Sequence, residues 1–185
     1  MKLTIFKREG KAKSELKKIR YDGDIPAIIY QKRAPSLGIF IKGAEFDALL
    51  RGLSKGRLST TILTLKEEKK EHKVIVKDIQ YSSTSYKIMH VDFELIEKDP
   101  VTVNVPIELL SVAECKGIKE GGTMRQIIRT IKVRCMPKDI PSVVSLDVKD
   151  LGLLESKRLS DIALPKDVRP LAKNLKEIVA IVAKR

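Results

Sequence analysis

The Ile25-Pro26 step is the tightest local constraint in the first part of the chain. Proline drives the residue before it into an extended backbone, and Gly23, two positions earlier, sits where a helix stop is expected. Whatever precedes Gly23 must therefore end there, and the apolar run Ala27-Ile28-Ile29-Tyr30 must begin a strand. Upstream, Leu3-Thr4-Ile5-Phe6 reads as an opening strand and Arg8-Glu9-Gly10 as the turn out of it. Lys11 to Lys13 read as a loop, and Ser14 as the cap of a short helix whose Leu16 and Ile19 share an inward face. Lys17, Lys18 and Arg20 lie on the other faces of that helix.

The rest of the chain repeats this grammar of short strands and turn signals. Leu37–Ile41 reads as a strand. Phe46, Leu49, Leu50 and Leu53 fall at i, i+3, i+4 and i+7, the apolar stripe of a helix packed on a sheet. Strands are expected at Thr60–Leu65 and Val74–Ile79, joined by the charged tip Lys66–Glu71 beside His72. In Met89–Ile96, Val91, Phe93 and Leu95 alternate with His90, Asp92 and Glu94, so His90 and Asp92 share one face of one strand. Glu97-Lys98-Asp99-Pro100 is a charged break, and a domain boundary is placed there: residues 1–97 and residues 98–185. Beyond it, strands are expected at Val101–Val105, Ile107–Leu110, Ile127–Cys135, Val143–Val148 and Glu177–Val182, with turns at Gly121-Gly122, Met136-Pro137, Ile140-Pro141 and Gly152. The fold class is mainly β with short helices, an α+β chain in two domains.

Charge narrows the partner. The net charge is +13, and residues 1–20 alone carry eight Lys and Arg against two Asp and Glu, so a polyanion is the natural partner class. Two cysteines, Cys115 and Cys135, make neither a zinc site nor a disulfide scaffold, which points to a reducing cytoplasm. No apolar run suits a signal peptide or a membrane span. With aromatics at 4% and no Trp, RNA contacts lean on charge and hydrogen bonds more than on stacking.

His90 beside Asp92 invites three readings. As a catalytic pair, the carboxylate would orient the imidazole as general base, but no nucleophile elbow, Walker loop or dinucleotide fingerprint accompanies them. As a structural pair they are polar residues on a solvent-facing strand side. As a binding pair, Asp accepts from a base amino group and His donates to a phosphate or base edge. From the residues alone, an RNA-processing enzyme using His90 and Asp92, an RNA-binding protein and a basic protein-interaction module all stay open. No cofactor or metal is called for.

The pattern Arg20-x-x-Gly23-x-Ile25-Pro26-Ala27-Ile28-Ile29-Tyr30, followed by His90-x-Asp92-Phe93, resembles the Ctc (general stress protein, "L twenty-five") family of bacterial 5S-rRNA-binding ribosomal proteins. Gly117-Ile118-Lys119-Glu120-Gly121-Gly122, Ile140-Pro141 and Leu159-Ser160-Asp161-Ile162-x-Leu164-Pro165 resemble the C-terminal β domain of its longer members, so the likeness covers nearly the whole chain. The resemblance implies a compact, β-barrel-like N-terminal domain that binds the loop E region of 5S rRNA in the large ribosomal subunit, followed by a C-terminal β domain. It implies RNA-facing roles for Arg8, Lys11, Lys13, Ser14, Lys17, Lys18, Arg20, Tyr30, His90 and Asp92, with Lys77 and Gln80 as further positions on the strand around Asp78-Ile79-Gln80. Other large-subunit proteins and neighbouring rRNA are the partners expected for the C-terminal domain, with no membrane partner and a monomer away from the ribosome. The chain departs from the family where Gln31 replaces the glycine common after the tyrosine, and where Tyr81-Ser82-Ser83-Thr84-Ser85-Tyr86 carries few of the cations and prolines often found there.

Overall fold

A computed structural model describes residues 2–8, 12–31, 35–67, 70–97, 99–165 and 167–184. The chain divides into two compact units, Met1–Asp99 and Pro100–Arg185.

The first unit is a closed six-stranded barrel. Its strands are β1 (Lys2–Lys7), β2 (Ile25–Tyr30), β3 (Leu37–Ile41), β4 (Ile62–Glu67), β5 (Lys70–Tyr81) and β6 (Ile88–Leu95), in the order β1-β3-β2-β6-β5-β4. Parallel pairing of Lys2–Thr4 with Thr64–Lys66 closes the ring, which leaves no open sheet edge to template aggregation. Alternation along each strand fills the interior. Leu3, Ile5, Ala27, Ile29, Ile39, Ile41, Leu63, Leu65, Val74, Val76, Val91 and Phe93 all point inward and are buried. Helix α2 (Gly43–Gly52) adds Phe46 and Leu49 to the same core, as its apolar spacing predicts.

Helix α1 (Lys13–Tyr21) links β1 to β2 and packs against β2. It begins earlier than the sequence suggests. Its N-cap is Ala12, whose carbonyl accepts from Leu16 N–H, and no side chain caps it, so Ser14 lies inside the first turn rather than at the cap and Lys13 is helical. Leu16 and Ile19 face inward but are only half-buried, because a helix this short and this basic lies on the surface of the barrel. Its end matches expectation. Gly23 takes the left-handed backbone at φ 84°, with Gly23 N–H donating to Arg20 O and Asp24 N–H to Ile19 O. This pair of bonds satisfies the last carbonyls and turns the chain into β2.

Two further boundaries move. Thr60 belongs to a 3-10 turn, Arg57–Thr60, that packs on β5, and β4 starts only at Ile62. The charged tip is narrower than the run of charges: Lys66 pairs with Glu71 and Glu67 with Lys70, leaving two connecting positions outside the described residues.

The second unit holds two sheets. Strands β7 (Val101–Leu110), β8 (Thr123–Gln126), β9 (Thr130–Cys135), β10 (Val144–Asp147), β11 (Ser156–Arg158), β12 (Arg169–Pro170) and β13 (Ile178–Ala183) form a β10-β7-β9-β12 sheet and a β11-β13-β8 sheet. The pieces expected at Val101–Val105 and Ile107–Leu110 are one strand. Pro106 is tolerated where β7 passes from its pairing with β9, which ends at Pro106–Thr130, to its pairing with β10, which starts at Ile107–Val144. Conversely, the strand expected from Ile127 to Cys135 begins only at Thr130. The chain changes sheets there, and Ile127 and Ile128 both donate to Val179 O at the crossing. Cys115 and Cys135 are buried and unpaired, with Cys115 Sγ donating to Leu151 O at 3.2 Å.

Candidate nucleic-acid interface

The barrel register places several of the singled-out residues on one outward face. On β6, Val91 and Phe93 point inward, so His90, Asp92 and Glu94 point out. Asp92 lies opposite Ile28 of β2 on one side and Asp78 of β5 on the other. Ile28 in turn pairs with Gly38 of β3, whose carbonyl accepts from Arg8 N–H at 3.1 Å just beyond β1. Arg8, Gly38, Ile28, Asp92 and Asp78 thus form one row across the barrel. At about 4.8 Å per strand, Arg8 and Asp92 stand roughly 14 Å apart along it.

Two β-bulges tune this face. Between Val76 and Asp78 the register with β6 slips, making Lys77 an extra, outward residue whose Nζ lies 2.7 Å from Glu94 Oε2. Between Gln80 and Tyr81 a second slip makes Met89 the extra residue on β6. A bulged residue is left out of the ladder, and the Met89 carbonyl accepts instead from Arg20 Nε at 3.2 Å. Gln80 is exposed and directly opposite His90.

Asp92 is the hub. Tyr30 Oη donates to its Oδ2 at 3.1 Å, and His90 Nδ1 lies 2.7 Å from its Oδ1. The His90 and Asp92 side chains are mostly covered, with the imidazole turned by its Nδ1 towards the carboxylate. Beside them a hollow of about 230 Å³ is lined by Tyr30, Gln31, Lys77 and Glu94. Burial, and then the hydrogen bond and negative charge of Asp92, push the Tyr30 phenol above its ordinary 10.0. Because the folded value is raised, any stability linked to this shift is present below the unfolded pKa and lost as pH rises through the folded one. In Asp92→Ala, the Tyr30 ionisation should move down towards 10.0, read as a shift in the alkaline absorbance titration against wild type.

Electrostatics complete the face. Lys13, Ser14, Lys17 and Lys18 are exposed on α1, whereas Arg20 is half-buried with its Nε held on Met89 O. Lys11 lies outside the described residues. Gly38 was not expected to matter, but Arg8 explains it: a Cβ there would sit 3.2 Å from the Arg8 guanidinium, which lies across the bare glycine. A glycine inside the strand pattern Leu37-Gly38-Ile39 is the sequence signal for such an approach. His72 sits apart, 3.6 Å from Glu67 Oε2. Among the described residues, no group of three or more His, Cys, Asp or Glu could hold a metal ion, and no helix is long and apolar enough to cross a membrane.

Residues 3–93, the barrel, match the Ribosomal L25p family, and residues 100–185 match the Ribosomal protein TL5 C-terminal domain. The chain is 44% identical to a large ribosomal subunit protein bL25 of Chlamydia caviae over the full length of both. The chain belongs to the Ribosomal L25p family. Proteins of the same name in Chlamydia trachomatis serovar L2 and Chlamydia pneumoniae are 43% and 41% identical, again across all of both chains. The likeness to these proteins therefore extends over both units rather than the barrel alone, and His90 and Asp92 lie within the L25p-matching region.

Proposed function

We propose that the barrel binds the loop E region of 5S rRNA with the outward face of β2, β6 and β5, and that Arg8 and the α1 lysines hold the adjoining phosphates. Membership of the L25p family makes the chain a structural, non-enzymatic protein of the large ribosomal subunit in the bacterial cytoplasm. That sets aside the RNA-processing reading of His90 and Asp92. The observation that carries the finer reading is the Asp92 hub, where Tyr30 and His90 are pinned on an outward strand face in one row with Arg8. Fixed, partly covered polar groups on a rigid sheet suit reading of an RNA groove, and an irregular RNA helix with a widened groove admits side chains that a regular deep groove excludes. The second unit is proposed to meet other large-subunit proteins or neighbouring rRNA.

Phosphate neutralisation releases counterions, so affinity should fall steeply with salt. Binding of the full chain to a loop E RNA fragment, measured from low to physiological salt, should favour loop E over a regular RNA duplex. Arg8→Ala should weaken binding to both RNAs and lower the slope of log K against log salt by about one phosphate contact. A wild type with no preference for loop E would overturn the reading, as would an Arg8→Ala slope equal to wild type.

A further inference from the structure

Three of the chain's four tyrosines gather away from Tyr30, at one cleft. Tyr21, Tyr81 and Tyr86 line a hollow of about 610 Å³ together with Arg20, Asp24, Asp47, Lys87 and Met89. All three rings are unusually open, at 92%, 55% and 80% exposure. Exposed aromatic side chains forgo the burial that normally rewards them, so a cluster of three marks a surface meant to be covered. Tyr86 also sits at φ 54°, the left-handed region that bulky residues rarely adopt. Its turn is stitched to hold it there: Ser82 N–H donates to Lys87 O at 2.8 Å, and Tyr86 N–H to Ser82 O at 3.0 Å. The Arg20–Met89 hydrogen bond ties α1 to β6 at the same cleft.

We infer that this cleft takes an unpaired nucleotide next to the RNA held by the His90–Asp92 strand; the inference rests on the RNA-binding reading above. Continuity supports it, because Tyr81 directly follows Gln80 on β5 and Met89 directly precedes His90 on β6. Aromatic rings stack on bases of any sequence. Arg20 and Lys87 supply cations for the linking phosphates, while Asp24 and Asp47 disfavour a phosphate on their wall and accept hydrogen bonds from base amino groups. The volume falls within the roughly 300–1,000 Å³ typical of small-ligand sites, enough for one base between rings. The proposal runs against the expectation that RNA contacts lean on charge and hydrogen bonds more than on stacking, because three of the few rings line this one hollow.

The absence of Trp makes the rings their own reporter, since the four tyrosines alone carry the intrinsic emission. The full chain is titrated with three RNAs: a loop E duplex, the same duplex carrying four unpaired adenosines at its 5′ or 3′ end, and a regular duplex. An overhang at one end should tighten binding about tenfold and quench tyrosine emission, in line with the roughly 1–3 kcal/mol of one stacked base. Tyr21→Ala combined with Tyr86→Gly should abolish both effects while leaving affinity for the plain loop E duplex unchanged. Glycine suits the left-handed backbone, so the turn should persist, checked by an unchanged melting curve. If neither overhang adds affinity while the preference for loop E stands, the cleft is not a nucleotide site. The same follows if the double variant keeps the gain, and the cleft then falls to a protein neighbour. Loss of the loop E preference itself would sink the underlying reading instead.

Discussion

Replacing Phe93 with alanine should lower the unfolding free energy by about 3–5 kcal/mol, the usual cost of removing a fully buried aromatic ring. Phe93 has no solvent exposure and is among the largest fully buried side chains of the barrel. It pairs with Ile29 on β2 and Val76 on β5, both inward, so the cavity would open in the middle of three strands whose backbones are held in a closed ring. Little collapse can fill it. Urea denaturation of wild type and Phe93→Ala checks this, and a loss under about 1 kcal/mol would mean that the ring contributes less than its burial indicates. Because Phe93 adjoins Asp92, RNA affinity should also fall in this variant, but in parallel with the folded fraction.

Asp92→Ala should act in the opposite way, sparing the fold and removing discrimination. The substitution takes the acceptor from Tyr30 Oη and the partner from His90 Nδ1. Both rings would then lose their fixed orientation on the outer face. The preference for loop E over a regular duplex should drop about tenfold, within the roughly 1–3 kcal/mol of a good base contact. The salt slope should stay that of wild type, because Asp92 neutralises no phosphate. A rise in affinity for both RNAs alike would instead show that the carboxylate merely repels the backbone. Paired with Arg8→Ala, the variant separates attraction from reading on a single face.

Tyr30 and the His90–Asp92 pair were visible as candidates in the chain, but their partnership was not. Residues 62 positions apart meet because β2 and β6 pair in parallel with Ile28 opposite Asp92, and no local pattern encodes that register. The basic helix is equally legible, whereas its start lies earlier than the sequence indicates. Serine is so strong a capping residue that Ser14 outweighed a helix which in fact opens, uncapped, at Lys13. Arg20 shows the same limit from another side. Composition counts it as one more cation, and only the bulge at Met89 shows the carbonyl that fixes its Nε and so orients the guanidinium.

By itself the sequence determined the period-two alternation that fills the barrel, the helix stop at Gly23, the extended start of β2 at Pro26 and the concentration of cations before them. These are properties of a few neighbouring residues, set by sterics and by which side chains water excludes. Only the tertiary structure decided which strands adjoin, where the bulges fall, and hence which outward residues share a face. Closing six strands into one ring fixes all their registers together, and that collective choice brings Arg8, Gly38, Asp92 and Tyr30 onto one surface and gathers three tyrosines at another.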